Sequence, residues 1–273
     1  MPIKIIEKGI EGDFLFARLN NGRIFYARNV FTDADSFERQ IYMMYASSNY
    51  DIDREIPSEY LGYLKGANNL DKILTLNVDE EIKKRLLRIF PIKEGEVVVE
   101  PGPYYGFSTI RLSEMVGDSG LVVAIEADLE NYEILLKNLH ANDIKNVVPV
   151  NEGVWNKIES LPFYSAGGRH KSFVPFNLGT CIEMGNFIVT DTLDNILQRY
   201  IVPYRRVNTV VMDINGAESS VLEGMPRLLN KDKLKLIINC YYDKVTISVK
   251  EYLENKGFIV YTGIQNRVYA VKG

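Results

Sequence analysis

From Gly95 onward, short apolar runs alternate with amphipathic stretches, and this rhythm predicts the architecture of the larger part of the chain. β-Branched, apolar runs over 96–100, 121–126, 147–151, 208–213, 234–240, 258–262 and 267–271 predict strands. Between them, 106–116, 128–141, 217–229 and 246–256 carry the spacing of helices. Apolar strands separated by amphipathic helices predict a parallel sheet covered on both faces. Only Gly263-Ile264-Gln265-Asn266 joins the last two runs. A link that short permits a hairpin but not a parallel crossover, so the final strand is predicted to run antiparallel.

Before residue 90 the pattern differs. Runs over 14–19 and 23–27 flank Asn20-Asn21-Gly22, a strong hairpin signal. Helices are predicted over 33–46, with Phe37, Ile41, Met44 and Tyr45 on one face, and over 79–90, stopped by Pro91. Between 155 and 207 the strand–helix rhythm breaks into short pieces around a glycine-containing loop. The expected organisation is an α+β extension over 1–90 and a larger unit over 91–273, with an insertion at 155–207 that forms a lid or substrate wall. The extension is assigned to substrate contact or dimer formation.

Composition narrows the field without naming a function. Apolar residues make up 46% and charged residues 25% of the 273, as in an ordinary globular protein. No apolar run is long enough for a transmembrane helix, and the charged N-terminus does not resemble a signal peptide. The net charge of −4 argues against coating nucleic acid. Two cysteines, Cys181 and Cys240, and two histidines make no zinc pattern, so no metal is expected. The expectation is a cytoplasmic protein that acts on a small molecule, with homo-oligomerisation left open.

The chemistry concentrates where two of the runs end. The run Val97-Val98-Val99 ends in Glu100 and opens into Pro101-Gly102-Pro103-Tyr104-Tyr105-Gly106; the next ends in Ala124-Ile125-Glu126. A glycine turn after one strand and a carboxylate closing the next fit a nucleoside cofactor at the carboxyl edge of a parallel sheet. The loop lacks the middle glycine of the dinucleotide fingerprint and the lysine of a P-loop. Its two tyrosines and the charge of Glu100 favour a cationic sulfonium or a nucleobase over a pyrophosphate.

Taken with the segments downstream, the loop resembles that of class I S-adenosylmethionine-dependent methyltransferases, and the FkbM family in particular. Glu100 to Gly106 is similar to the family's first motif, and Ala124-Ile125-Glu126-Ala127-Asp128 to its ribose-binding strand end. The helix with Leu135, Leu136 and Asn138, the tripeptide Thr192-Leu193-Asp194, and Met212-Asp213-Ile214-Asn215-Gly216-Ala217-Glu218 follow in the family's order. The resemblance implies a Rossmann-like α/β fold with a seven-stranded, mostly parallel sheet, and S-adenosylmethionine as cofactor. It places Glu100 near the methionine amino group or sulfonium, and Gly102, Pro103, Tyr104, Tyr105 and Gly106 along the cofactor. Glu126 would hold the ribose with Ala127 beside the adenine, and Asn151, Glu152 and Gly153 would meet the base.

Methyl transfer to a hydroxyl needs a proton acceptor within hydrogen-bond reach. Asp213, at the end of a strand, is the first candidate. Glu218 is a second, equally suited to capping its helix. His170, in the loop Gly167-Gly168-Arg169-His170-Lys171, is a third. The sequence departs from the family at Glu100, where Asp is usual, at Asn215, where Glu is usual, and at Asn239, where an acid usually ends the fifth strand. The expected activity is O-methylation of a sugar-like or secondary-metabolite hydroxyl. The rivals are a cofactor-binding protein of the same fold with little transferase activity, motivated by Asn215 and Asn239, and an NAD-dependent oxidoreductase. A base-methylating enzyme is disfavoured, because the chain lacks an Asn-Pro-Pro-Tyr-like motif.

Overall fold

A computed structural model describes residues 3–29, 34–46, 81, 84, 88–165, 171–175, 182–201, 207–263 and 266–273. Its centre is a seven-stranded sheet. The strands are β4 (Val97–Pro101), β5 (Leu121–Ile125), β6 (Val147–Val150), β11 (Thr209–Met212), β12 (Lys235–Asn239), β13 (Phe258–Thr262) and β14 (Arg267–Lys272). They lie in the order β13-β14-β12-β11-β4-β5-β6. Four neighbouring pairs are parallel, and β14 runs antiparallel to both β12 and β13. Every residue of β4 and β11 is buried, which is why these runs are mostly apolar and show no alternation.

Helices α2 (Phe107–Val116), α3 (Leu129–Ala141), α4 (Leu193–Tyr200), α5 (Glu218–Glu223), α6 (Pro226–Leu229) and α7 (Asp243–Asn255) accompany the sheet. The helix expected over 217–229 is two helices. Gly224 sits where a Cβ would lie 2.2 Å from the Trp155 carbonyl oxygen, and Pro226 then starts α6. The Asp194 carboxylate accepts from the amides of Arg227 and Leu228, at 2.6 and 3.0 Å, and so caps α6 from another helix. Thr192, in turn, caps α4 by accepting from the amide of Asn195 at 3.2 Å. The Thr-Leu-Asp tripeptide is thus a pair of helix caps.

Near the N-terminus, β1 (Ile5–Glu11), β2 (Phe14–Leu19) and β3 (Ile24–Arg28) form an antiparallel sheet, and α1 (Ala34–Ile41) continues into one π-helical stretch over Tyr42–Ala46. The predicted hairpin is β2–β3. The sequence pattern does not predict β1; it is an edge strand whose residues are all exposed or half-buried, so no alternation marks it. The other edge, β3, is paired by side chains. Asn138 accepts from the Tyr26 amide at 2.7 Å and donates to its carbonyl at 3.0 Å, and Asn142 treats Ile24 alike, at 2.9 and 2.6 Å. Two asparagines one turn apart, one in α3 and one at its C-terminal cap, therefore stand in for a neighbouring strand. Phe25 then packs with Tyr45, Tyr105 and Phe107 in a buried cluster under the first loop. The helix expected over 79–90 lies largely outside the described residues.

The insertion forms a four-stranded arm: β7 (Gly153–Trp155), β8 (Glu159–Ser165), β9 (Lys171–Ser172) and β10 (Ile182–Thr192), in the order β7-β10-β8-β9. No helix among the described residues is long and apolar enough to cross a membrane.

Candidate functional site

The strand order reverses between β4 and β11, and a cleft opens there at the carboxyl edge of the sheet. Open α/β sheets bind ligands at such a switch point. Pro101, Gly102 and Tyr104 line one side; Glu126, Ala127 and Asn131 the second; Asp213, Ile214 and Asn215 the third. The arm contributes Phe163, Lys171, Ser172 and Phe173.

Gly102 shows why the first loop must be glycine there. Its φ is +83°, and a Cβ would lie 2.1 Å from the Asp213 carbonyl oxygen. Gly106, also at positive φ, serves packing rather than the cleft; its Cβ would meet Leu135 Cδ1 at 2.3 Å. Tyr104 faces the cleft, stacked on Tyr105 with ring centroids 3.7 Å apart. Tyr105 instead packs against Phe107 in the core shared with the N-terminal sheet, so the expectation that both tyrosines face a ligand is corrected to Tyr104 alone. Pro103 and Gly153 also stay out of the cleft lining. At Gly153 the space is taken by Phe173 and Thr190.

Glu100 turns away from the cleft. Its carboxylate accepts from the hydroxyls of Ser108 and Thr109, both at 2.6 Å, at the start of α2. Burial pushes its pKa up to about 7; the two hydroxyls oppose the shift and the nearby Asp213 charge adds to it. The expected direct contact with a ligand is corrected to a support role beneath the loop.

Glu126 faces the cleft and is fixed by backbone, accepting from the amides of Tyr104 and Asp128, each at 3.0 Å. Burial is the main cause that lifts it to about 7, and those amides hold it down. Asn151 props the same strand end by donating to the Glu126 carbonyl at 2.8 Å. It lines a neighbouring open trough rather than the cleft, and Glu152 lines both. Arg199 pairs with Glu152 and with Asp191.

Asp213 faces the cleft, and its Oδ2 accepts from Asn239 Nδ2 at 2.9 Å. Asn215, at φ +53°, donates from Nδ2 to the Lys171 carbonyl at 3.0 Å, so it ties this loop to the arm. Glu218 is wholly buried and absent from the lining. Its Oε1 accepts from the Gly216 amide at 3.0 Å, in the turn before the helix, and burial pushes it up to about 7. His170 lies outside the described residues. Cys240 is a buried free thiol pushed up to about 12 by burial, inert as a nucleophile.

Among the arm residues that line the cleft, Phe163, Ser172 and Phe173 carry no signal in the sequence pattern. Lys171 Nζ lies 2.8 Å from Asp128 Oδ1, and Ser172 Oγ donates to the Ile214 carbonyl at 3.3 Å. With the Asn215 bond, these tethers seat β9 across the cleft between its two halves. The sign of a wall over 155–207 was legible; which residues would reach the cleft was not.

A reversed-order sheet with a glycine-cradled cleft and carboxylates on both sides defines the class: an S-adenosylmethionine-dependent methyltransferase fold. The chain belongs to the FkbM methyltransferase family, whose domain model matches residues 99–260. Among solved structures it is similar to an FkbM methyltransferase from Methylobacillus flagellatus KT, with 20% identity over 64% of this chain and a TM-score of 0.46. The chain spans 43% of that protein's length. It is also similar to a SAM-dependent methyltransferase from Aquifex aeolicus, with 22% identity, 74% of this chain, 97% of that one and a TM-score of 0.42. A third likeness is to Aeropyrum pernix fibrillarin with natively bound S-adenosyl-L-methionine, with 12% identity, 99% and 100% coverage and a TM-score of 0.46. No curated protein matches the chain.

The residues present fit the cofactor. Gly102 lets the first loop close against the Asp213 backbone, and the cleft beside it is lined by apolar Tyr104, Ile125 and Phe163 together with the carboxylates of Glu126 and Asp213, a mixture suited to a nucleoside that carries a cationic sulfonium. Glu126 and Ala127 line the same cleft, and the Glu126 carboxylate there can accept from hydroxyl groups.

Proposed function

We propose that the chain is an S-adenosylmethionine-dependent O-methyltransferase acting on a small molecule with a sugar-like hydroxyl, with Asp213 as proton acceptor. The observation that carries this reading is Asp213 itself: a carboxylate on the cleft at the switch point, opposite Gly102, with one oxygen already held in place. The bound cofactor supplies an electrophilic methyl group on a sulfonium leaving group. Gly102 and the loop backbone seat it, and Glu126 accepts from the ribose hydroxyls. Asp213 takes the acceptor's proton as the oxygen–methyl bond forms and the sulfur keeps the electron pair. Alignment of the two reactants supplies much of the rate, up to roughly 7–11 kcal/mol in favourable systems.

The 1–90 extension and the 91–273 unit are read as one working body, because the N-terminal sheet buttresses the first loop through Asn138 and Tyr105. A cytoplasmic setting suits the free thiol of Cys240. The non-transferase rival loses its motive where Asn215 and Asn239 each have a structural task at the cleft. Calorimetry with S-adenosylmethionine and S-adenosylhomocysteine tests the first half of the reading, and binding of neither overturns it. Transfer of labelled methyl to a panel of polyols and phenols tests the second; methylation confined to nitrogen acceptors overturns the oxygen assignment.

A further inference from the structure

The ends of four adjacent strands place Gly102, Asp213, Asn239 and Arg267 in one row along the carboxyl edge. Met212 pairs with Ile238, so Asp213 stands beside Asn239, and Asn239 pairs with Arg267. Arg267 is the first residue of β14, and it reaches this edge because β14 runs opposite to its neighbours. Within the row, Arg267 Nε donates to Asn239 Oδ1 at 2.9 Å, and Asn239 Nδ2 donates to Asp213 Oδ2 at 2.9 Å. The Asp213 charge in turn bears on the buried carboxyls of Glu100 and Glu218, which face it from β4 and α5.

The order of donors in this row is dictated by chemistry. A guanidinium can only donate, so the atom Asn239 turns toward Arg267 must be its carbonyl oxygen. The amide nitrogen is then obliged to face Asp213. The Asp213 carboxylate only accepts, so it demands the same orientation from the other side, and the amide is held at both ends. We propose that Asn239 and Arg267 are positioning residues that fix the Asp213 carboxylate by its Oδ2 and leave Oδ1 as the atom that receives the acceptor's proton. The inference rests on the proposed role of Asp213 in the transfer. The N–H pointed at Oδ2 takes one of that oxygen's two lone pairs and makes it the poorer proton acceptor, which favours Oδ1. It also accounts for the absence of an acid at 239, since a carboxylate there would bind Arg267 but repel Asp213.

The test is carbon NMR of the side-chain carboxyls in uniformly labelled full-length protein, with the Asp213 signal assigned by its loss in Asp213→Asn. Arg267→Met removes the donor that orients the amide, and Arg267→Lys keeps a group that only donates. The expected result is a displaced Asp213 signal in Arg267→Met that returns toward the wild-type position in Arg267→Lys. Should Arg267→Met not fold, Asn239→Ala makes the same test by removing the donor at Oδ2 directly. An Asp213 signal at the wild-type position in the folded Met or Ala variant overturns the proposal, as does equal displacement by Lys and Met. Calorimetry with S-adenosylhomocysteine on the same samples keeps the two readings apart. Failure of the wild-type protein to bind it counts against the methyltransferase assignment and leaves the carboxyl result to decide the row.

Discussion

Glu126 and Asp213 each follow a parallel strand at the carboxyl edge, on opposite sides of the cleft, yet they are held in different ways. Glu126 is gripped by two backbone amides, one of them two residues on in its own loop and the other in the glycine loop. Asp213 is held by a side chain of the next strand, which is held by a side chain of the strand beyond. A site made of backbone depends on turn geometry and is robust to substitution of side chains. A site made of a side-chain chain depends on partners 26 and 28 residues apart. The cofactor half is therefore built locally, and the reacting half is built by the sheet.

The sharpest way to separate the halves is Asp213→Asn. If the carboxylate is the proton acceptor, kcat falls about 10²- to 10⁴-fold, the usual worth of general base catalysis. Affinity for S-adenosylhomocysteine, measured by calorimetry, stays at its wild-type value. Loss of binding in parallel with loss of turnover would mean that the two halves are not separate.

Gly102→Ala attacks both halves at once, because the new methyl group would collide with the Asp213 backbone. A non-glycine residue at this φ costs roughly 1–3 kcal/mol before the clash is counted. Thermal unfolding should show a clear drop in Tm, and both cofactor binding and turnover should fall. Glu126→Ala affects only the cofactor half. Loss of charged hydrogen bonds there should weaken S-adenosylmethionine and S-adenosylhomocysteine alike by about 1.5–3 kcal/mol, roughly 10- to 100-fold in Kd. Equal affinities in wild type and variant would remove the carboxylate from the ribose assignment.

The same contrast explains what could be read from the chain. The seven strands of the central sheet and most of the helices announce themselves, because buried strands are mostly apolar and the helices beside them repeat every 3.6 residues. The glycine loop and Glu126 were legible because their neighbours in space are neighbours in sequence. β1 escaped because an exposed edge strand has no buried face to mark it. Asn138 looks like a polar residue in a helix; that it pairs with the edge of β3 depends on a contact 112 residues away. Tyr105 sits next to Tyr104 in the chain and stacks on it, but it also packs against Phe107 and is absent from the cleft lining, a difference set by the N-terminal sheet far away in sequence. Asn239 read as the loss of an acid, because its worth lies wholly in what stands on either side of it in the sheet.

The smallest expected effect concerns the carboxylates that the cleft does not display. Glu100 lies beneath the first loop, and burial raises it to about 7 from an ordinary value near 4.5. A carboxyl that binds its proton more tightly when folded favours the folded state below the unfolded value. That advantage is lost as pH rises from about 4.5 through about 7, because ionisation then costs more in the buried site than in the open chain. Glu100→Gln keeps a neutral group of similar shape beside Ser108 and Thr109 and cannot ionise. A tenfold change in proton affinity is worth about 1.4 kcal/mol, and altered hydrogen bonds offset part of the gain, so at pH 8 the variant should be more stable than wild type by about 1 kcal/mol. At pH 5 it should be equal or slightly less stable. Guanidinium unfolding at the two pH values reads the difference directly. A Glu100→Gln variant with the wild-type dependence on pH would show that Glu100 is not the group that titrates, and would move that role to Glu126 or Glu218, which burial lifts to the same range.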